Sequence, residues 1–169
     1  KTIEVVEGDK FVRLTPAPDA TADVEIDFPP AAIGRQKLTG VKLDERTFVT
    51  RIRDARTFTM KSEVDKIMAE GLAQGASLAN AILVDDEKVI NPEGLHYPDE
   101  FVRHKVLDLY GDLALAGAHI VGHFSGRKIG HTLNARLVAK LVSNANNFTF
   151  TDREYAETYW TTINYRNSA

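Results

Sequence analysis

A histidine and an aspartate four residues apart, His104 and Asp108, lie in the run Phe101-Val-Arg-His-Lys-Val-Leu-Asp-Leu-Tyr-Gly-Asp-Leu113. On a helix that spacing stacks the two side chains on one face, a turn apart, where an imidazole and a carboxylate can share a divalent cation. Asp112 extends the stripe by one more turn. The same helix holds Val102, Val106, Leu107, Leu109 and Leu113, so a row of His-Asp-Asp is peculiar. A solvated face would use Lys and Glu, and a core face would use Leu. Taken alone, the spacing equally describes a surface ion pair worth under about 1 kcal/mol. A second cluster follows downstream, from His119-Ile-Val-Gly-His123 to Gly130-His131-Thr-Leu-Asn134. His131 falls in the first turn or so of a further helix, after Gly126 and Gly130, where backbone can approach a ligand closely and where oxyanions are attracted. His119 and His123 read as packing or surface groups, and His96, in a loop before Pro98, as solvent-exposed.

The elements that must position these residues are strands first and helices later. Residues 2–6, 11–15, 22–28 and 38–43 read as strands. The third alternates most clearly, with Val24, Ile26 and Phe28 on one face and Asp23, Glu25 and Asp27 on the other. Glu7-Gly8-Asp9 is a hairpin turn, and Pro29-Pro30 ends the third strand because proline cannot donate to a ladder. Asp44 caps a helix with Phe48, Val49 and Ile52 at helical spacing. A second amphipathic helix spans about 62–72, between an extended piece at 56–59 and a strand at 81–84 that returns at 88–90. The longest helix runs roughly 98–116 from Pro98 at its first turn, a strand covers 118–124, and a last helix covers 128–143. The residues from Asn144 onward have no clear period and are assigned no structure. The pattern predicts an α+β fold: a two-layer sandwich, a mixed sheet packed against a helix pair, with a small βαβ insert at about 57–90.

Composition narrows the chemistry. The chain has 169 residues, no cysteine, 43% hydrophobic and 27% charged residues. Without cysteine there is no thiolate metal site, so a metal must be held by His, Asp or Glu. A net charge of −3 supplies no field favouring nucleic acid or an anionic membrane. No apolar run approaches the roughly 20 residues of a transmembrane segment. The chain opens at Lys1 in strand-like sequence, without methionine, which reads as a fragment or excised domain.

The run Phe101-Val-Arg-His104-Lys105-x-x-Asp108-x-x-Gly111-Asp112-Leu113, then Gly130-His131-x-Leu-Asn134, resembles the UDP-3-O-acyl-N-acetylglucosamine deacetylase family of lipid A synthesis in Gram-negative bacteria. The likeness extends through Gly8-Asp9-Lys10, Ile26-Asp27-Phe28, Ala55-Arg56-Thr57-Phe58 and Val84-Asp85-Asp86, over residues 1–143. It does not reach the tail, 144–169.

The resemblance implies a cytoplasmic zinc hydrolase built from two related domains, of which this chain is the second. His104 and Asp108 would be two Zn(2+) ligands. The absent N-terminal domain would bring the third, a histidine, and the general base, a glutamate; nothing before His104 offers that pair. An isolated copy is therefore expected to bind zinc poorly and to turn over little or nothing. His131 and Thr57 would act on the oxyanion, with Asp112 orienting His131. Lys10, Lys105 and Lys128 would meet the diphosphate or sugar hydroxyls of a UDP-sugar acyl substrate, and Phe28 would stack on uracil. Each lysine alone is equally a solvated charge, and Phe28 equally a core residue. Val64, Ile67, Leu72 and Ala81 could line an acyl passage or simply form the insert's own core. Zinc and ferrous iron both suit such N/O ligands. A different reading of the same residues is a non-catalytic module that binds a metal or a nucleotide diphosphate, which would leave Thr57 and His131 without work.

Overall fold

The computed structural model of the chain describes residues 1–71 and 73–150. Its strands are β1 (Ile3–Glu7), β2 (Lys10–Thr15), β3 (Thr21–Phe28) and β4 (Gly34–Lys42), then β5 (Thr57–Met60), β6 (Ala81–Asp85), β7 (Lys88–Val89) and β8 (His123–Arg127). The helices are α1 (Glu45–Thr47), running on into a π-helical turn at Phe48–Ile52, α2 (Val64–Ala69), α3 (Glu100–Leu113) and α4 (His131–Val142).

Alternation decides which face of the main sheet is buried. Ile3 and Val5 of β1, Val12 and Leu14 of β2, and Ala22, Val24 and Ile26 of β3 all point inward. They meet Phe101, Val102, Val106, Leu109 and Leu113 from α3 and Leu133, Leu137, Val138 and Leu141 from α4. The opposite face carries charge, with Glu4 paired to Arg13 at 2.6 Å and Glu25 to Arg35 at 3.0 Å. This is the two-layer α+β sandwich that the sequence predicts.

The strand order is β1-β2-β8-β3-β4. β8 enters the middle of the sheet, antiparallel to β2 and parallel to β3, so the sheet is mixed. The strand expected at 118–124 lies further along the chain, since β8 runs from His123 to Arg127 and only its first two residues fall in the expected range. Its neighbours explain this: His123 pairs with Thr15 on one side and Thr21 on the other. Beyond Thr15 comes Pro16, which has no N–H to continue the ladder.

A second sheet, β5-β6-β7, flanks the first. β5 and β6 are parallel and α2 joins them, a βαβ unit that β7 extends antiparallel. The helix expected over 62–72 is a 3-10 turn at Lys61–Glu63 followed by the short α2, which buries no residue. Leu72 lies outside the described residues. The helix expected after Asp44 is also short in its α-helical part. Asp44 does cap it, accepting the Thr47 amide N–H at 2.7 Å. In the segment left without predicted structure, Ala145–Asn147 form a 3-10 turn, and the rest of the tail from 151 lies outside the described residues.

Candidate functional site

α3 and the start of α4 bring the chemically capable side chains together. Buried Val102, Val106 and Leu109 seat α3 on the core, which turns His104, Asp108 and Asp112 along one edge facing α4. Gly126 lets the β8–α4 turn close. A Cβ there would collide with the Ile129 side chain, so this glycine serves packing rather than approach to a ligand. Gly130, the residue before α4, has an extended φ of −168° and open space around it.

His104 is held by its backbone neighbour. Its Nδ1 lies 3.0 Å from the Ala55 carbonyl oxygen, which can only accept, so Nδ1 carries the proton. Nε2 then faces Asp108 Oδ1 at 3.2 Å. In the neutral ring this sets one lone pair against another. A positive charge must sit between them, either a proton or a metal cation. Two donors at about 2.0–2.1 Å from a tetrahedral ion are separated by roughly 3.4 Å, close to the distance seen. The donor set therefore fits part of a divalent metal shell. Among the described residues no group of three His, Cys, Asp or Glu side chains could hold a metal ion, so these residues supply only part of a shell.

Asp108 is buried and Lys105 Nζ lies 2.8 Å from its Oδ2. Burial alone would push its carboxyl up. The hydrogen bonds from His104 and Lys105 outweigh burial and hold it down at about 2. The carboxylate is ionised throughout the neutral range, as a ligand must be.

His131, from the start of α4, reaches the same oxygen, with Nε2 3.8 Å from Asp108 Oδ1. Its Nδ1 is 3.0 Å from both oxygens of Asp112 and so donates to that carboxylate. The buried Asn134 side chain fixes Asp112 in turn through a 2.8 Å bond from Nδ2. Two imidazoles thus aim Nε2 at one carboxylate oxygen, each with Nδ1 committed elsewhere.

Of the other predicted residues, Lys105 joins this group directly and its ammonium also lies over the Phe58 ring, 5.2 Å from the centroid. Thr57 opens β5, two residues after the carbonyl that anchors His104, and its side chain is exposed. Phe28 is half-buried and meets Phe58 edge-on at 5.2 Å; Phe58 in turn touches Phe101 and His104. Lys128 stands apart, at the end of β8, in a left-handed conformation with φ of 51°. Its ammonium lies 2.6 Å from Asp9 and 3.5 Å from Asp27, and the bond with Asp9 raises its pKa. Lys10 is exposed at the start of β2, in register with Glu7. Val64, Ile67 and Ala81 are half-exposed in the small sheet's unit. His119 and His123 lie away from the group, His119 along an apolar cavity of about 620 Å³ at the far end of β2 and β8, and His123 bonded to Thr21.

Sequence reasoning missed three features. The Ala55 carbonyl sets the His104 tautomer, Phe58 joins Lys105, His104 and Phe28, and a buried ion pair between Arg56 and Glu100 flanks the site. His96 is solvent-exposed, as expected, and its Nδ1 also lies 2.9 Å from the Asp54 carbonyl. A carbonyl has no signature in sequence, whereas Phe58 and Arg56 stood in the motif without an assigned contact.

Comparison with known proteins adds the following. The family model described as UDP-3-O-acyl N-acetylglycosamine deacetylase matches residues 1–143. The chain is 44% identical over 144 residues to the UDP-3-O-acyl-N-acetylglucosamine deacetylase of Myxococcus xanthus (strain DK1622), covering 85% of this chain and 46% of that protein. It is 46% identical over 142 residues to the enzyme of that name from Anaeromyxobacter dehalogenans (strain 2CP-C), covering 84% and 46%. For the Sulfurovum sp. (strain NBC37-1) protein of the same name, identity is 41% over 150 residues, covering 89% and 51%. The chain spans about half the length of the curated relatives it matches.

Proposed function

Because the chain belongs to the UDP-3-O-acyl-N-acetylglycosamine deacetylase family, we propose that it supplies half of a zinc-dependent active site that hydrolyses the N-acetyl group of UDP-3-O-acyl-N-acetylglucosamine. The observation that carries this reading is the approach of His104 Nε2 and His131 Nε2 to the same oxygen, Asp108 Oδ1, at 3.2 and 3.8 Å. The reading assigns the enzyme to lipid A synthesis in the cytoplasm of Gram-negative bacteria. For this chain, no helix among the described residues is long and apolar enough to cross a membrane.

His104 and Asp108 would hold the ion, with a histidine from an N-terminal half as third ligand. A bound zinc ion supplies Lewis acidity to the amide carbonyl and to the attacking water. The proton of that water would pass to a glutamate of the same N-terminal half. Lys105, paired with Asp108, brings positive charge to the rim where a diphosphate or sugar would lie. Negative charge grows on the former carbonyl oxygen as water adds. The Nε2–H of a protonated His131 and the Thr57 hydroxyl would donate to that oxygen. When the C–N bond breaks, His131 Nε2 would give its proton to the departing amine nitrogen. Asp112, on Nδ1, would fix the orientation of the ring. Phe28, Lys10 and Lys128 would meet the nucleotide end of the substrate, Lys128 after leaving Asp9.

The test uses the protein joined to its N-terminal half. It should bind one zinc per chain and release acetate from the acylated UDP-sugar. His104→Ala and Asp108→Ala should each lower zinc affinity by more than about 10-fold in a chelator competition. Full metal content in both variants would remove the ligand assignment.

A further inference from the structure

Beside the candidate centre lies a buried ion pair that the chemistry above does not use. Glu100, in the first turn of α3, is fully buried and Arg56 nearly so. Glu100 Oε1 accepts the Arg56 amide N–H at 2.9 Å and Arg56 Nε at 2.9 Å. Its Oε2 accepts the His96 amide N–H at 2.6 Å and Arg56 Nη2 at 3.3 Å. Arg56 Nη1 also donates to Glu93 Oε1 at 2.7 Å and the Leu78 carbonyl at 3.5 Å, and Nη2 to the Gly94 carbonyl at 2.7 Å. Each guanidinium N–H therefore has an acceptor. Two charges withdrawn from water add little net stability over apolar residues of the same volume. Filling the core is therefore a poor reason for this pair.

Its neighbourhood supplies a better one. The peptide unit linking Ala55 to Arg56 is gripped on both sides. Its carbonyl accepts from His104 Nδ1 at 3.0 Å, and its N–H donates to Glu100 Oε1 at 2.9 Å. A trans peptide points those two groups in opposite directions. Glu100 and His104 are i and i+4 on α3, one turn apart, a rise of about 6 Å. The peptide therefore lies along the helix, clasped between two side chains of one face. If this plane turned, Glu100 would lose the N–H and His104 its acceptor together. The residues just before it are clamped too: the Asp54 carbonyl accepts from His96 Nδ1 at 2.9 Å and the Arg51 carbonyl from Arg103 Nη1 at 2.8 Å. The residue just after it is Thr57.

We propose that Arg56 and Glu100 are a positioning pair: they lock the Ala55–Arg56 peptide so that the Ala55 carbonyl keeps the proton of His104 on Nδ1, leaving Nε2 open toward Asp108, and they set where β5 presents Thr57. The metal consequence rests on the reading of His104 as a ligand; the tautomer consequence does not. In this role both are positioning residues. They act through one backbone carbonyl.

The experiment compares wild-type, Glu100→Gln, Arg56→Lys and His104→Ala proteins joined to the N-terminal half. Glu100→Gln keeps the size of the side chain and removes its charge. The first readout is the Nδ1–H resonance of His104 in proton–nitrogen spectra of metal-free protein. It should be protected in wild type and lost or broadened in Glu100→Gln, while the backbone amide spectrum stays folded. The second is zinc affinity by chelator competition, which should fall about 10–100-fold. Arg56→Lys, which keeps a cation and the backbone N–H, should give an intermediate loss of both. It carries the test where Glu100→Gln does not fold. A folded variant with the wild-type His104 resonance and wild-type zinc affinity overturns the proposal and leaves the pair a purely structural one. Wild-type zinc affinity in His104→Ala would instead overturn the ligand reading, while the resonance still decides the tautomer claim.

Discussion

The two imidazoles that face Asp108 belong to regions of opposite character. His104 sits in a packed wall: its side chain is 12% exposed, its Nδ1 is bound to backbone, and Phe58 covers its ring. His131 sits on an open rim, 72% exposed, with Nδ1 held by the Asp112 carboxylate. A metal ligand gains from rigidity, since a ring that cannot turn keeps its lone pair aimed. A group that passes a proton to a substrate must be reachable and correctly turned, and a carboxylate partner on Nδ1 sets its orientation. The wall thus suits holding and the rim suits transferring.

The sharpest way to break this contrast is to remove the rim imidazole. In the protein joined to its N-terminal half, His131→Ala should lower turnover by about 10²–10⁴-fold with metal content and unfolding midpoint unchanged. A loss of metal would mean that both histidines are ligands. On the wall the expected effect is one of stability. Arg56→Met strands a buried Glu100 carboxylate and should cost about 3–5 kcal/mol by denaturant titration; a cost under about 1 kcal/mol would show that water reaches Glu100.

The metal-free protein allows a smaller test by pH. The Asp108 carboxyl is lowered from 3.8 to about 2 on folding. A depressed carboxyl stabilises in full above its unfolded value and loses that contribution as pH falls through its folded value. The term is about 2 kcal/mol. Stability should therefore decline between about pH 4 and pH 2, and Asp108→Asn should flatten that slope. An unchanged slope would mean that Asp108 is not held ionised by His104 and Lys105. The smallest effect belongs to the flanking unit. Met68 on α2 is 63% exposed, so Met68→Ser should move stability by no more than about 0.5 kcal/mol. A larger loss would show that this face is covered.

Much of the site was legible along the chain because helical spacing is local. His104, Asp108 and Asp112 at intervals of four residues needed only a helix to share an edge, and α3 provides it. Alternation in β3 likewise declared its inner face. What escaped was anything joining distant segments. The Ala55 carbonyl lies 49 residues from the ring it anchors, and Arg56 lies 44 residues from Glu100. Acidic residues at a helix start, as Asp99 and Glu100 are, ordinarily stay in water beside the exposed amides. One of them is instead fully buried.

Residue types and their periods thus determined the α+β layers, the stripe on α3 and the residues able to ligate or carry protons. Tertiary structure decided that β8 enters between β2 and β3, that α4 starts where His131 reaches Asp108, and which nitrogen of each imidazole is free. The reason is physical. A period records the face that water avoids, but a tautomer is set by whichever acceptor the fold carries up to the ring.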